Sequence, residues 1–468
     1  MIPWKYEIVC SVYLFTTSYI RKIKTKSGTY FAEVRSRRVD GKVKQEFIRY
    51  IGKEVNALPV RRVNSGDIRV MDVRRSMDVE AVHRIAGKLG IGLLVSPESM
   101  VMVYSQLLDR PAINRMEDYL KTTEIPLYLG MQEVSTAKLY KSLSEINELD
   151  FTEIENKLSS IFMGLEKNRR TVVIDVTDTY FTGDSLDSMP RKGKEGRIKK
   201  LMQLALAVTE DNGFPLMHRI YGGNISNRMI MDDMVRDLWV NGYTAIVMDR
   251  GMSDPARIRK MIELGFNIIC GLRKTNDVKR IINAVDRDDI YTKAHRVKLK
   301  NTEVYCKSIE YMKGKMIIVF NPSMEAVKKA HYYEHSSNED IAGYLGYSII
   351  YHNTELADSD AVKKYYDKDS VERAFKQMKG VLDLRPVRVW LKSHIEGHIK
   401  VCYLAYAVLA YLDYILRDMD ISGSDALSIL RTGYRVHLED RKSGFKWETM
   451  VAETALQKKI MDVVIKNT

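Results

Sequence analysis

Cysteine is scarce. The four present, Cys10, Cys270, Cys306 and Cys402, stand far apart in 468 residues and form no CxxC pair. Such spacing supports neither a disulfide framework nor a structural zinc, and it points to a reducing cytosol. No secretory leader is expected either: the opening MIPWKYEIVCSVYLFTTSYI is apolar, but it carries Glu7 where a basic region belongs and lacks a small-residue cleavage site. Long apolar runs are few. Val401 to Leu412 is the strongest, but it stops at Asp413 and falls short of the roughly 20 residues a bilayer span needs. It reads as a buried core helix, and no membrane partner is expected. Acidic residues are also in deficit, 61 Asp and Glu against 74 Lys and Arg, a formal net charge of +13. That balance favours a polyanionic partner.

What is present is enough for more than one core. A chain of 468 residues with 45% hydrophobic content can fill two or three. Most of the cationic excess lies at the start, where residues 1–65 hold 14 Lys or Arg against 5 Asp or Glu. Thr29 to Arg35 and Lys42 to Tyr50 alternate like strands around Asp40-Gly41, a two-residue hairpin turn. Arg35, Arg37, Arg38, Lys42 and Lys44 could rest there against nucleic-acid phosphates, which confer affinity but no sequence preference; an ordinary solvated hairpin has the same pattern. From about Met77 to Lys167 the periodicity turns helical. Asp78 to Ala86, Ser135 to Leu149 and Thr152 to Leu165 each read as amphipathic helices, with Thr152 and Glu155 spaced as a capping box.

Two short strand-like runs each end on an aspartate. Thr171-Val172-Val173-Ile174 leads to Asp175, and Thr244-Ala245-Ile246-Val247-Met248 leads to Asp249. Buried strands have this look, and ligands gather at their carboxyl ends. An aspartate in that place is either a turn cap or part of a site. Between the two runs lie a hairpin, Leu201 to Thr209 and Leu216 to Tyr221 around Asp211-Asn212-Gly213, and a helix from about Arg228 to Val240. Strand, strand, strand, helix, strand, with acids on the first and fourth strands, is the order of the ribonuclease H-like fold.

A third acid lies on the segment KYYDKDSVERAFKQMK, Lys364 to Lys379. Wound as one α-helix at about 100° per residue, it lines up Val371, Ala374, Phe375, Met378 and Leu382 as a core stripe. Tyr365, Lys368, Glu372 and Lys379 form a second stripe beside it. Mixed Glu and Lys on a helix are ordinarily surface decoration. A carboxylate flanked by cations at the edge of a core also suits a metal-bound phosphodiester.

Asp175, Asp249 and Glu372 together resemble the acidic triad of a DDE insertion-sequence transposase. The helix resembles the signature Tyr-(2)-Arg-(3)-Glu-(6)-Lys of one group: Tyr365, Glu372 and Lys379 match it, and position 368 carries Lys in place of Arg. The charge is kept there and the planar bidentate fork lost. GNIS at Gly223–Ser226, DRG at Asp249–Gly251, LRPV at Leu384–Val387 and the Gly397-His398 pair are similar to family segments too, and the likeness runs from about Tyr19 to about Leu416. The resemblance implies a transposase with a ribonuclease H-like core and two Mg²⁺ ions, Mn²⁺ substituting. Asp175 would bridge the ions, Asp249 and Glu372 would hold one each, and Lys379 and Tyr365 would position the scissile phosphate with help from Arg250. It further implies double-stranded DNA as partner, both transposon terminal inverted repeats and target, a homodimer on that DNA, and a cytoplasmic, nucleoid-associated location.

Asp175 to Asp249 is 74 residues and Asp249 to Glu372 is 123. A helix-and-strand crossover needs only about 30, so roughly 80 residues are inserted before the glutamate. The expected partition is a basic hairpin region 1–65, a helical DNA-end-binding region 66–168, a core in two parts 169–272 and 352–416, a β-rich insertion 273–351, and a helical tail 417–468. The insertion has no tryptophan, so only Tyr or Phe could stack there on an extruded base. His331-Tyr332-Tyr333-Glu334-His335 matches an inverted zinc-protease pattern without a third ligand and reads as coincidence; His394 and His398 lack partner ligands as well. Two rival readings are a ribonuclease H-like nuclease without strand transfer and a binding-only descendant.

Overall fold

The computed structural model describes the chain except for residues 1–17, 26–27, 40–41, 56–57, 61–64, 168–169, 181–189, 193–197, 301, 336–343, 385–388, 390 and 452. It divides into two units, Met1–Asp72 with Val436–Thr449, and Val73–Arg435 with Met450–Thr468.

In the first unit, Ser18–Thr25 (β1), Gly28–Val39 (β2), Lys42–Val55 (β3) and Leu58–Val60 (β4) form a four-stranded sheet in sequence order. β2 and β3 pair antiparallel as the alternation predicts, while the Asp40-Gly41 turn lies outside the described residues. Arg35 pairs with Glu46 at 3.2 Å and Lys44 is exposed. Arg37, Arg38 and Lys42 sit on the paired strands, and their side chains lie outside the description.

Ile68–Arg75 (β5) is a strand where a helical region was expected to begin. It shares a three-stranded sheet with two strands from the C-terminal part, described below. In the second unit the central sheet is built from Thr171–Tyr180 (β6), Pro190–Lys192 (β7), Ile198–Thr209 (β8), Pro215–Gly222 (β9), Ala245–Met248 (β10), Asn267–Leu272 (β11), Arg296–Lys298 (β12), Glu303–Tyr311 (β13), Gly314–Phe320 (β14) and Tyr347–His352 (β15). The spatial order through its centre is β9-β8-β6-β10-β11-β15-β14-β13-β12, with β7 on the free end of β8. β9, β8 and β6 run antiparallel in turn, whereas β6, β10 and β11 are parallel. Helices Asn227–Val240 and Pro255–Glu263 make the crossovers that parallel strands require. Val172, Val173, Ile174, Ile246, Val247 and Met248 are all buried, as expected of strands covered on both faces.

Residues 273–351 contribute β12–β15 and also helices, Asn276–Asn283 and Pro322–His335 among them. These strands do not stand apart as a separate sheet: β15 pairs antiparallel with β11 and extends the central one.

On the N-terminal side, helices Met77–Lys88, Pro97–Leu108 and Thr136–Glu148 pack around Lys392–Leu416, while Phe151–Leu165 packs on β9 and sets its Phe151 ring against Tyr403. That last helix is long and apolar enough to cross a membrane by length and composition, yet 78% of its apolar window is buried inside the protein. Gly397 is required where it meets the 136–148 helix, because a Cβ there would stand 2.1 Å from the Leu143 carbonyl oxygen. The expected capping box is corrected: Asp150 caps the 151–165 helix, accepting from the Thr152 amide at 3.0 Å. Glu155 is instead buried and accepts from the His218 amide at 2.7 Å and from Arg219 at 2.9 Å, pinning the helix to β9. The C-terminal part is corrected too. It is not wholly helical, since Tyr434–Asp440 (β16) and Lys446–Val451 (β17) pair in the order β17-β16-β5 between helices Gly423–Leu430 and Ala455–Asn467.

Candidate active site

β10 lies parallel to β6 with Met248 opposite Ile174. The next residues are Asp249 and Asp175, so register alone sets the two aspartates side by side at the carboxyl edge of the parallel strands. Side chains in register on adjacent strands leave the same face. Asp175 is partly buried, and its Oδ1 accepts from the Val176 amide at 2.8 Å.

Asp249 is more open, with 43% of its side chain exposed, and its Oδ1 gathers two donors. Lys368 Nζ approaches to 2.5 Å and Tyr365 Oη to 3.2 Å. Burial pushes the Asp249 carboxyl up, but the Lys368 ammonium, the Arg250 amide and the Tyr365 hydroxyl outweigh it and hold the group below the ordinary carboxylate range. Tyr365 moves the other way. Burial, and next the Asp249 charge, raise its phenol, so it remains a protonated donor. The Lys368 ammonium also lies 4.5 Å from the centre of the Tyr365 ring.

Tyr365 reaches Asp249 across Gly271 on β11. A Cβ at Gly271 would stand 2.3 Å from Tyr365 Oη and 3.0 Å from Arg250 Cβ, so only glycine lets the phenol lie there. Ser253 Oγ donates to the Gly271 carbonyl and fastens the loop after Asp249 to the same strand.

The segment carrying the third acid is not the single helix that its stripe predicts. Helix Asp358–Tyr366 ends at Asp367, Lys368 caps a second helix Asp369–Lys376, and Gln377–Val381 is a π-helical turn. The break falls at Asp-Lys-Asp-Ser, 367–370, where two Asp and a Ser have modest helix propensity. The core stripe survives: Val371, Ala374, Phe375 and Met378 are buried, and the second helix packs on β6 and β8. The polar residues separate. Tyr365 and Lys368 turn to Asp249, while Lys379 Nζ donates to Thr177 Oγ1, two residues beyond Asp175 on the same face of β6. Glu372 is exposed on the helix flank. Among the described residues no group of three or more His, Cys, Asp and Glu side chains is arranged to hold a metal, so register joins the two aspartates and does not bring in the glutamate.

The donor chemistry nevertheless suits a hard divalent cation. Asp249 Oδ1 already accepts a cation, the Lys368 ammonium, and Asp175 lies on the adjacent strand. The sequence places Lys368 among the cations flanking the carboxylate, as a DNA contact, and does not reveal its hold on Asp249. Sequence reasoning missed Thr177, for which a signal existed, because a residue two beyond a strand aspartate shares its face.

Other family-like segments are structural. Ser226 caps the 227–240 helix, and Gln203 Nε2 donates to the carbonyls of Gly223 and Ile225 at 3.2 and 2.7 Å. Residues 385–387 of LRPV lie outside the described chain.

No curated protein matches the chain. Among solved structures, the cryo-EM structure of a piggyBac transposase synaptic complex with hairpin DNA is similar at a TM-score of 0.40 and 10% identity, covering 76% of this chain and 70% of that one. The family model described as the transposase DDE domain matches residues 166–408. That match runs from the approach to β6 through both aspartates and the glutamate helix into the long buried helix, more than half of the chain, and on it this protein belongs to the transposase DDE domain family.

Proposed function

We propose that the chain is a DNA transposase that cuts double-stranded DNA at the terminal inverted repeats of its element and joins the freed 3′ ends to target DNA. The observation that carries this reading is the in-register pair Asp175 and Asp249, with a cation already seated on Asp249. The order β9-β8-β6-β10-β11, three antiparallel strands followed by two parallel ones, supports a ribonuclease H-like core. Asp175, Asp249 and Glu372 are the residues that would hold two Mg²⁺ ions, with Mn²⁺ as substitute. When bound, such ions activate the attacking oxygen and stabilise the leaving one in an in-line displacement.

The protein's part is positioning. Asp175 and Asp249 fix the site at the sheet edge, while Glu372 approaches from a helix that must settle over it. Lys379, held on Thr177, and Tyr365, a protonated donor, orient the scissile phosphate; Lys368 and Arg250 supply positive charge beside it. In the first step water attacks phosphorus, the P–O3′ bond breaks, and a 3′-OH is released. In the second that 3′-OH attacks a target phosphodiester and displaces another 3′ oxygen. The two ends of one element call for two copies of the chain, a homodimer on DNA, acting in the cytoplasm at the nucleoid.

The test is cleavage of labelled DNA from the flanks of the gene, in Mg²⁺, Ca²⁺ and EDTA, with Glu372→Gln as control. End-specific nicks that require Mg²⁺ and Glu372, followed by joining to a second DNA, are the expected result. Nicks without joining would leave a nuclease, and binding without nicks in any metal would overturn the enzymatic reading.

A further inference from the structure

A cluster of cations stands beyond the carboxylate pair, on the far side of β11. Arg250 follows Asp249 directly and is exposed. Where β11 ends, Arg273 Nη2 donates to the Gly251 carbonyl at 3.1 Å, tying the two strand ends together. Lys274 is the next residue, half-buried, with its ammonium donating to the Tyr344 carbonyl. Lys279, on the 276–283 helix, lies over the same Tyr344 at 5.4 Å from the ring centre. Lys328 comes from the 322–335 helix, whose Glu325 Cβ would stand 2.7 Å from a Cβ at Gly346, two residues past Tyr344. Burial, then Lys328, Arg250 and Lys279, push the Lys274 ammonium down to about 8.

Cations are normally brought together by an acid. Among the described residues, none of Arg250, Lys274, Lys279 and Lys328 pairs with a carboxylate. Among the described side chains, the acids on the same two helices are engaged elsewhere, Asp277 with Arg280 at 3.7 Å and Glu325 with Lys329 at 2.9 Å. Mutual repulsion of this kind costs stability unless an anion relieves it. Thr275 caps the 276–283 helix, so the positive end of that helix adds to the field at Lys274.

We propose that Lys274, Lys279 and Lys328, continuing outward from Arg250 beside the scissile phosphate, form a phosphate-binding site for a DNA strand that runs past the aspartate pair, away from the reacting bond. The proposal rests on the DNA-transposase reading above and deepens it. The cations come from three places in the chain: the loop after β10, the segment after β11, and the 322–335 helix. They meet at the carboxyl edge of the parallel strands, where ligands of open sheets gather. A polynucleotide backbone supplies phosphates at repeating spacing, which matches several separate cations better than one small anion does.

The test is equilibrium binding of a short DNA duplex of arbitrary sequence, in EDTA, over a range of salt concentrations. Wild type is compared with Lys274→Gln/Lys328→Gln and with Lys458→Gln/Lys459→Gln, which removes the same charge from the C-terminal helix. Each lost phosphate contact lowers the slope of log K against log salt by about 0.9, so the first pair should lower it by nearly 2 and the second should leave it unchanged. Lys274→Arg/Lys328→Arg should restore the slope, which separates lost charge from a misfolded chain. Equal slopes in all the proteins would overturn the site. If the slope changes but wild type cleaves no DNA in Mg²⁺, the transposase reading falls and the site stands. If wild type cleaves and the slopes are equal, the site alone falls.

Discussion

Asp249 and Glu372 carry the same functional group, yet the backbone holds them by different means. Asp249 stands at the end of a four-residue strand whose neighbours on both sides are parallel and buried, so a shift of register would move every core side chain with it. Glu372 stands on an eight-residue helix with a break before it and a π-turn after it. The buried stripe fixes which side of that helix faces the sheet and leaves Glu372 exposed. π-turns recur at functional sites. The two aspartates are set by register, whereas the proposed third acid rides on a helix packed against β6 and β8.

The largest effect should come from the acids. Asp175→Asn or Asp249→Asn is expected to lower Mg²⁺-dependent cleavage by at least about a thousandfold, some 4 kcal/mol of barrier, with DNA affinity within about threefold. Glu372→Gln should cost as much if the glutamate helix closes during the reaction. A residual rate above about a tenth of wild type for Glu372→Gln, beside dead aspartate variants, would remove the glutamate from the triad and leave a two-carboxylate site.

Legibility followed the same division. The placement of Asp175 and Asp249 at strand ends could be read because short apolar runs mark buried strands, and the hairpin between them carries its own turn residues. The central strands and the 227–240 helix fell close to where periodicity put them. Four things were not readable. The break at 367–368 falls on residues of modest helix propensity, which a helical wheel drawn for the stripe ignores. Glu155 looked like a cap because its partners, His218 and Arg219, lie more than sixty residues away. The insertion's strands were visible as strands, but pairing of β15 with β11 is a long-range fact. The strands β16 and β17 lie in a stretch read as helical throughout.

A smaller effect tests how the two halves meet. Gly271→Ala puts a methyl group 2.3 Å from Tyr365 Oη. Overpacking of this kind is expected to destabilise the protein by about 1–3 kcal/mol, measured by denaturant unfolding. In a Tyr365→Phe background the closest atom is gone, and the cost should fall by about half or more. An equal cost in both backgrounds would mean that the contacts at 3.0 Å, Arg250 Cβ and Tyr365 Cζ, and not the hydroxyl, set the limit.

The smallest and most discriminating change is Lys368→Gln. On the proposed mechanism a divalent ion would seek the Asp249 oxygen that Lys368 holds, and its entry would release the ammonium toward phosphate. The Asp249 side chain is 43% exposed, and a pair screened to that degree is worth about 0.2–1 kcal/mol. Removing the competitor should therefore tighten Mn²⁺ binding by up to about fivefold in calorimetry without DNA, while weakening DNA binding in Mn²⁺. The pH dependence has a definite sign. Lys368 helps hold the Asp249 carboxyl below its ordinary range, so the stabilisation it gives is present above that range and lost as pH falls through the lowered value. In Lys368→Gln the carboxyl rises, and proton competition for the metal site should begin at higher pH than in wild type. Unchanged Mn²⁺ affinity with weakened DNA binding would make Lys368 a phosphate contact alone, and would mean that its place on Asp249 exerts no hold on the metal.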